Sequence, residues 1–141
     1  MNISSPQPPE TQLSRLLALI GQPVRIQILL ILGGQEACVC HLEAVLGLRQ
    51  ASISQHLMAL RKAGLVEPRR CGRNIFYHLV RPEVVSVLNQ AAVLAGLDPA
   101  ALQQLAVRPV AGCPCPQCNP NAQPGASCQN LHPAPSSSEC P

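Results

Sequence analysis

Aromatic side chains are nearly absent from this sequence: one Phe, one Tyr and no Trp in 141 residues. Any core must then be filled by aliphatic side chains, which suits Leu- and Ile-rich helices better than a β-sandwich. Charge is scarce too, at 12% Asp, Glu, Lys and Arg, with a formal net charge of +3. That balance carries little nucleic-acid signal by itself, so the placement of the cations decides. No hydrophobic run is long enough to span a bilayer. Leu16 to Ile20 and Ile26 to Leu32 are short and interrupted by Gly21, Pro23 and Arg25. Met1 to Glu10 is polar and Pro-rich, without the basic and apolar segments of a secretory leader. No nucleophile–base constellation appears. The expectation is a cytoplasmic, non-enzymatic protein with no membrane partner.

Cysteine, by contrast, is plentiful, with eight in the chain. In a reducing cytoplasm the thiols are expected reduced, and clustered thiols favour metal or redox chemistry over structural disulfides. Cys38-Val39-Cys40-His41-Leu42 is the tightest such feature. Two thiolates two residues apart can chelate a soft ion. Inside a regular helix, residues i and i+2 point about 200° apart. The pair can therefore share an ion only if Cys38 precedes the first turn or binding unwinds that turn.

Periodicity and punctuation divide the chain into a disordered leader over 1–10, a folded unit over 11–107 and a tail over 108–141. Helices are expected over Thr11–Ile20 and over Pro23–Leu32, the latter stopping at Gly33-Gly34. Two more follow over Cys40–Leu46, ending at Gly47, and Ala51–Ala63, ending at Gly64. In the last of these Ile53, Leu57 and Leu60 form one stripe and face the core, so Gln55, Met58, Ala59 and Lys62 face away. Leu65–Arg70 and Ile75–Val80 read as a hairpin turning at Cys71-Gly72-Arg73-Asn74, with Pro68 marking an edge strand. A further helix is expected over Pro82–Ala95, then a short one to Val107, capped by Asp98. From Pro109 the last 33 residues hold eight prolines and five cysteines. Such a tail buries too little to offset its ordering entropy unless metal organises it.

Half of the Lys and Arg residues, Arg61, Lys62, Arg69, Arg70 and Arg73, fall between the fourth helix and the hairpin turn. That placement, a helix-turn-helix followed by a basic hairpin, is a nucleic-acid signature. Gln50, Ser52, Ser54, Gln55 and His56 occupy the first turns of the fourth helix, where side chains reach base edges in the major groove. The five cations are candidates for phosphate contacts, which position the protein without reading sequence.

The stretch from about Leu16 to Leu88 resembles the ArsR/SmtB family of dimeric winged-helix metalloregulators. The resemblance rests on Pro23-Val24-Arg25-Ile26, Cys38-Val39-Cys40-His41-Leu42 and Ser52-Ile53-Ser54-Gln55-His56-Leu57. It continues through Leu60-Arg61-Lys62-Ala63-Gly64-Leu65-Val66 and the wing Arg69-Arg70-Cys71-Gly72-Arg73. It implies a mainly α, winged helix-turn-helix fold with a β-hairpin wing, dimerised through the first helix and the Pro82–Ala95 helix. It also implies a homodimeric repressor on double-stranded operator DNA that needs no cofactor to bind. The implied inducer is As(III) or Sb(III) at Cys38 and Cys40, with Cd(II), Pb(II) or Zn(II), or a thiol redox or persulfide switch, as alternatives. Many arsenic-sensing relatives carry a third cysteine where this chain has Glu43, and the usual recognition-helix Ser cap is Arg49. Candidates for a third thiol are Cys113, Cys115 and Cys118 of the C-P-C-P-Q-C segment, and Cys71. Cys71 otherwise reads as an exposed wing thiol, and His41 as a solvated helical residue rather than a zinc or cadmium ligand.

Overall fold

Helices α1 (Pro9–Ile20), α2 (Pro23–Gly34), α3 (Val39–Leu46), α4 (Gln50–Lys62), α5 (Glu83–Leu94) and α6 (Pro99–Leu102) surround a three-stranded antiparallel sheet. Its strands are β1 (Ala37–Cys38), β2 (Val66–Cys71) and β3 (Asn74–Leu79), and a 3-10 turn, Gln103–Ala106, follows α6. This computed structural model describes residues 6–72, 74–107 and 118. Mainly α with a β-hairpin wing, it is the winged helix-turn-helix that the sequence implied.

Proline and glycine set most of the boundaries. Pro9 and Pro23 stand in the first turns of α1 and α2, where a missing N–H costs no hydrogen bond. α1 thus starts two residues before the expected Thr11. Gly47 ends α3 in the left-handed region at φ 67°, its N–H donating to the Glu43 carbonyl at 2.8 Å. Gly72, at φ 62°, supplies the turn between β2 and β3.

α2 stops at the expected Gly33-Gly34 pair, which forms its last turn rather than following it. A Cβ on Gly33 would lie 2.7 Å from Cγ2 of Val85, and one on Gly34 would lie 2.7 Å from Cβ of Ala106. The glycines therefore let α5 and the 3-10 turn press against the end of α2. The expected last helix to Val107 also divides. Asp98 caps it as anticipated, accepting from the Ala100 N–H at 3.0 Å, but after Leu102 the chain tightens into the 3-10 turn. That winding eclipses residues three apart, and Leu102 and Leu105 both pack on the core.

The core is aliphatic, as the lack of aromatics required. Ile28, Leu29 and Ile31 of α2 meet Leu42 of α3, Ile53, Leu57 and Leu60 of α4, and Val66 of β2, all buried. Burying one such side chain stabilises by about 1.5–3 kcal/mol. α3 and α4 thus share one packed core.

β1 was not anticipated. It pairs with β3, so Cys38 stands opposite Phe76, while Arg69 of β2 stands opposite Phe76 on the other side and Cys71 opposite Asn74. Opposed residues point to the same face and alternate along a strand. Cys38, Phe76, Arg69 and Cys71 therefore share one face. β2 is an edge strand, which accommodates Pro68. Among the described residues no single helix is long and apolar enough to cross a membrane.

Candidate nucleic-acid interface and thiol cluster

α3, the turn through Gly47 and α4 form the helix-turn-helix. With Ile53, Leu57 and Leu60 buried, the opposite side of α4 is presented outward: Gln50, Gln55, Met58 and Lys62 are exposed, and Ser52, Ser54 and His56 half-buried. Arg49 occupies the N-cap with no side-chain hydrogen bond, so the first amides of α4 lack a side-chain cap. Those amides and the helix dipole favour an anion at this end. Arg49, itself exposed, adds a cation there that the sequence reading had treated only as a missing cap. Arg61 and Lys62 sit exposed in the last turn of α4, where positive charge complements the dipole.

The wing cations divide by register. Arg70 is exposed on β2. Arg69, one residue earlier and so on the Cys38 face, is half-buried in a two-pronged pair with Glu36. Its Nε donates to Oε2 at 3.1 Å and its Nη2 to Oε1. Glu36 directly precedes β1, so the strand that escaped sequence reading also brings Arg69 its partner. Arg73 lies outside the described residues.

His56 is fixed from behind. Arg25 of α2 donates Nε–H to His56 Nδ1 at 3.2 Å and Nη1–H to the Leu19 carbonyl at 3.0 Å. Burial, and then the Arg25 cation, hold the His56 pKa below its ordinary 6.5. A neutral ring accepting at Nδ1 carries its proton on Nε2. Arg25 belonged to a helix-start motif in the sequence, and nothing local marked a partner 31 residues away.

The thiols converge more than their spacing suggested. Cys38 is the N-cap of α3, with extended φ −84° and ψ 165°, and Cys40 is in the first helical turn. The geometric condition for a shared ion, Cys38 ahead of the first turn, is met. Cys38 is fully buried and packs with Cys71 and Phe76, and Cys40 and Cys118 lie against this cluster. Cys71 is not an exposed wing thiol: it retains 5% exposure, because its register places it on the inner face of the sheet. Nor is His41 solvated. It is fully buried, and its Nδ1 stands 3.2 Å from Sγ of Cys118.

Cys40 and Cys71 are engaged in disulfide bonds, whereas reduced thiols were expected, and Cys38 and Cys118 are thiols. Among the described residues no group of three or more His, Cys, Asp or Glu side chains is placed to hold a metal ion. The donors themselves, thiols and an imidazole, suit a soft ion rather than magnesium or calcium. That fit belongs to the reduced chain, in which Cys40 is a thiolate donor again. Cys113 and Cys115 lie outside the described residues.

Comparison with known proteins accords with this geometry. Residues 22–68 match the family described as "Bacterial regulatory protein, arsR family". The chain is 35% identical over 97 residues to the HTH-type transcriptional repressor SmtB of Mycobacterium tuberculosis, covering 66% of this chain and 72% of that one. It is 48% identical over 56 residues to the arsenic resistance transcriptional regulator ArsR1 of Pseudomonas putida, covering 40% of this chain and 43% of that protein. It spans 61% of the length of a transcriptional repressor SmtB homologue from Synechocystis, to which it is 32% identical over 81 residues (57% of this chain). Among solved structures, HlyU from Vibrio cholerae superposes with a TM-score of 0.54 at 34% identity, covering 60% of this chain and 92% of that one.

Proposed function

We propose, from the premise that this chain belongs to the ArsR family of bacterial regulatory proteins, that it is a cytoplasmic, homodimeric repressor released from its operator by As(III) or Sb(III). The observation that carries this reading is the placement of Cys38 and Cys40. One caps α3 in an extended conformation and the other lies in its first turn. α3 packs under α4, so an ion drawing these two sulfurs together moves the helix that braces the DNA reader. A coupling of about 1–3 kcal/mol between two such sites is the usual scale.

In this reading Gln50, Ser52, Ser54, Gln55 and His56 meet base edges, with His56 offering Nε2–H as a donor. Arg61, Lys62, Arg70 and Arg73 meet phosphates, and Arg69 contributes through its pair with Glu36 as much as through its charge. DNA binding requires no cofactor. The second copy covers two apolar stripes that one chain leaves open: Leu13, Leu16 and Leu17 of α1, and Val87 and Leu94 of α5, Leu94 being 90% exposed. Exposed apolar area of this kind marks an interface. Dimerisation sets two α4 helices about 34 Å apart, one DNA turn.

A thiol redox switch is the second reading, favoured by the disulfides at Cys40 and Cys71. The two are separated by titrating operator-bound, fully reduced protein with As(III), Sb(III), Cd(II), Pb(II), Zn(II) and, separately, hydrogen peroxide. The metalloid reading expects release at the lowest concentrations of As(III) or Sb(III). Release by peroxide alone would replace it with the redox reading.

A further inference from the structure

A trivalent arsenic or antimony has three positions to fill, and Cys38 and Cys40 occupy two. The third donor is open, because Glu43 offers a hard oxygen one turn further along α3. Cys118, 77 residues downstream of His41, brings its sulfur to this place. It is half-buried against the cluster of Cys38, Cys71 and Phe76, and its Sγ stands 3.2 Å from Nδ1 of His41. His41 is fully buried three residues after Cys38, hence on the same side of α3. Cys71 is the rival for this position, since it packs with Cys38 in the same cluster, but in this structure its sulfur is committed to a disulfide whereas that of Cys118 is a thiol.

We propose that Cys118 is the third thiolate of the metalloid site, and that His41 is the positioning residue that holds its sulfur beside Cys38 and Cys40. This rests on the metalloid reading above and deepens it. A histidine donating to, or accepting from, a ligand atom fixes that atom's direction, as outer partners do around bound metals. The chemistry is a ligand exchange without change of oxidation state. Three As–O bonds of arsenous acid break and three As–S bonds form, and the thiol protons leave with the hydroxyls as three waters. Cys40 must be a thiol first. A cellular dithiol supplies the two electrons and two protons that open its disulfide, and is itself oxidised to a disulfide. Inducer binding then joins Cys118 covalently to Cys38 and Cys40 through arsenic.

The test uses full-length, reduced protein with two probes. Arsenite takes three thiols, whereas phenylarsine oxide keeps its As–C bond and takes two. Cys118→Ser should lose arsenite affinity by at least about tenfold, and arsenite should protect one thiol fewer from alkylation than in the wild type. Its phenylarsine oxide affinity and its operator affinity without inducer should not change. His41→Phe should reproduce the arsenite loss in part, and His41→Asn, which keeps a polar atom near the Nδ1 position, should recover it. An unchanged arsenite affinity and thiol count in Cys118→Ser would overturn the proposal. So would a loss appearing only in Cys71→Ser, which would assign the third position to the wing. A wild-type protein that binds no arsenite sinks the metalloid reading itself, a result distinct from either.

Discussion

Arg25 and His56 join α2 to α4 through one hydrogen bond, Nε–H to Nδ1 at 3.2 Å. The bond exists only while His56 is neutral, since a protonated ring has no acceptor to offer. The same guanidinium is tied to the Leu19 carbonyl, so the rotation of the His56 ring is set by α1 and α2 rather than by DNA.

This pair gives the fold a pH dependence of determined sign. The folded-state pKa of His56 lies below 6.5, so the unfolded chain binds more protons in the window just under 6.5. Stability then rises with pH there. The contribution is complete above pH 6.5 and is lost as pH falls through the folded pKa. Urea denaturation between pH 5 and 8 should show this loss in the wild type and a shallower one in His56→Gln. Identical profiles would show that the ring is not constrained as described.

The two neighbouring wing arginines should behave differently. Arg70→Ala removes an exposed cation, weakening operator and random DNA alike and flattening the slope of log K against log salt by about 0.9. Arg69→Ala breaks the pair with Glu36 and should also lower stability by about 1 kcal/mol, the upper range for a pair this exposed. Double variants with Glu36→Ala, followed by denaturation, isolate the pairwise energy. An additive cycle would show that the pair contributes nothing.

In the proposed function base reading is assigned to Gln55 above all, exposed and opposite the buried Ile53, Leu57 and Leu60. Gln55→Ala should cost about 1–3 kcal/mol of discrimination between operator and random sequence. Equal losses on both, in competition binding, would place this side chain on the backbone instead.

The apolar stripes of α1 and α5 make the oligomer testable. Leu16→Asp combined with Leu94→Asp puts charge at positions that are 40% and 90% exposed in a single chain, so the monomer should keep its fold. Sedimentation should show a shift toward monomer at micromolar concentration and, with it, weakened operator binding. A dimer of undiminished stability would move the interface elsewhere.

How far the sequence revealed this arrangement follows from the range of the interactions involved. The helices, the hairpin and the Asp98 cap were legible, because apolar spacing, proline and glycine act within a few residues. β1 was not, since Ala37 and Cys38 are too few to show alternation, and their pairing depends on β3 nearly forty residues later. Two features that follow from β1 were hidden with it, the Glu36 partner of Arg69 and the shared face of Cys38 and Phe76, while Cys71 lies in β2 rather than in the expected turn. The approach of His41 to Cys118 joins residues 77 apart in the chain, which no local pattern encodes. The glycines at the end of α2 were legible as its stop, whereas their close packing against Val85 and Ala106 was not, because those partners lie far along the chain.

The central claim is that Cys38 and Cys40 receive the inducer and transmit its binding to α4. The most direct measurement is As(III) titration of reduced, operator-bound Cys38→Ser protein, followed by fluorescence anisotropy of labelled DNA. Serine keeps the size of the side chain but offers a hard, protonated oxygen in place of a soft thiolate. The variant should bind the operator with wild-type affinity and stay bound at As(III) concentrations that fully release the wild type. Release at wild-type concentrations would contradict the account and place the sensory site away from the start of α3.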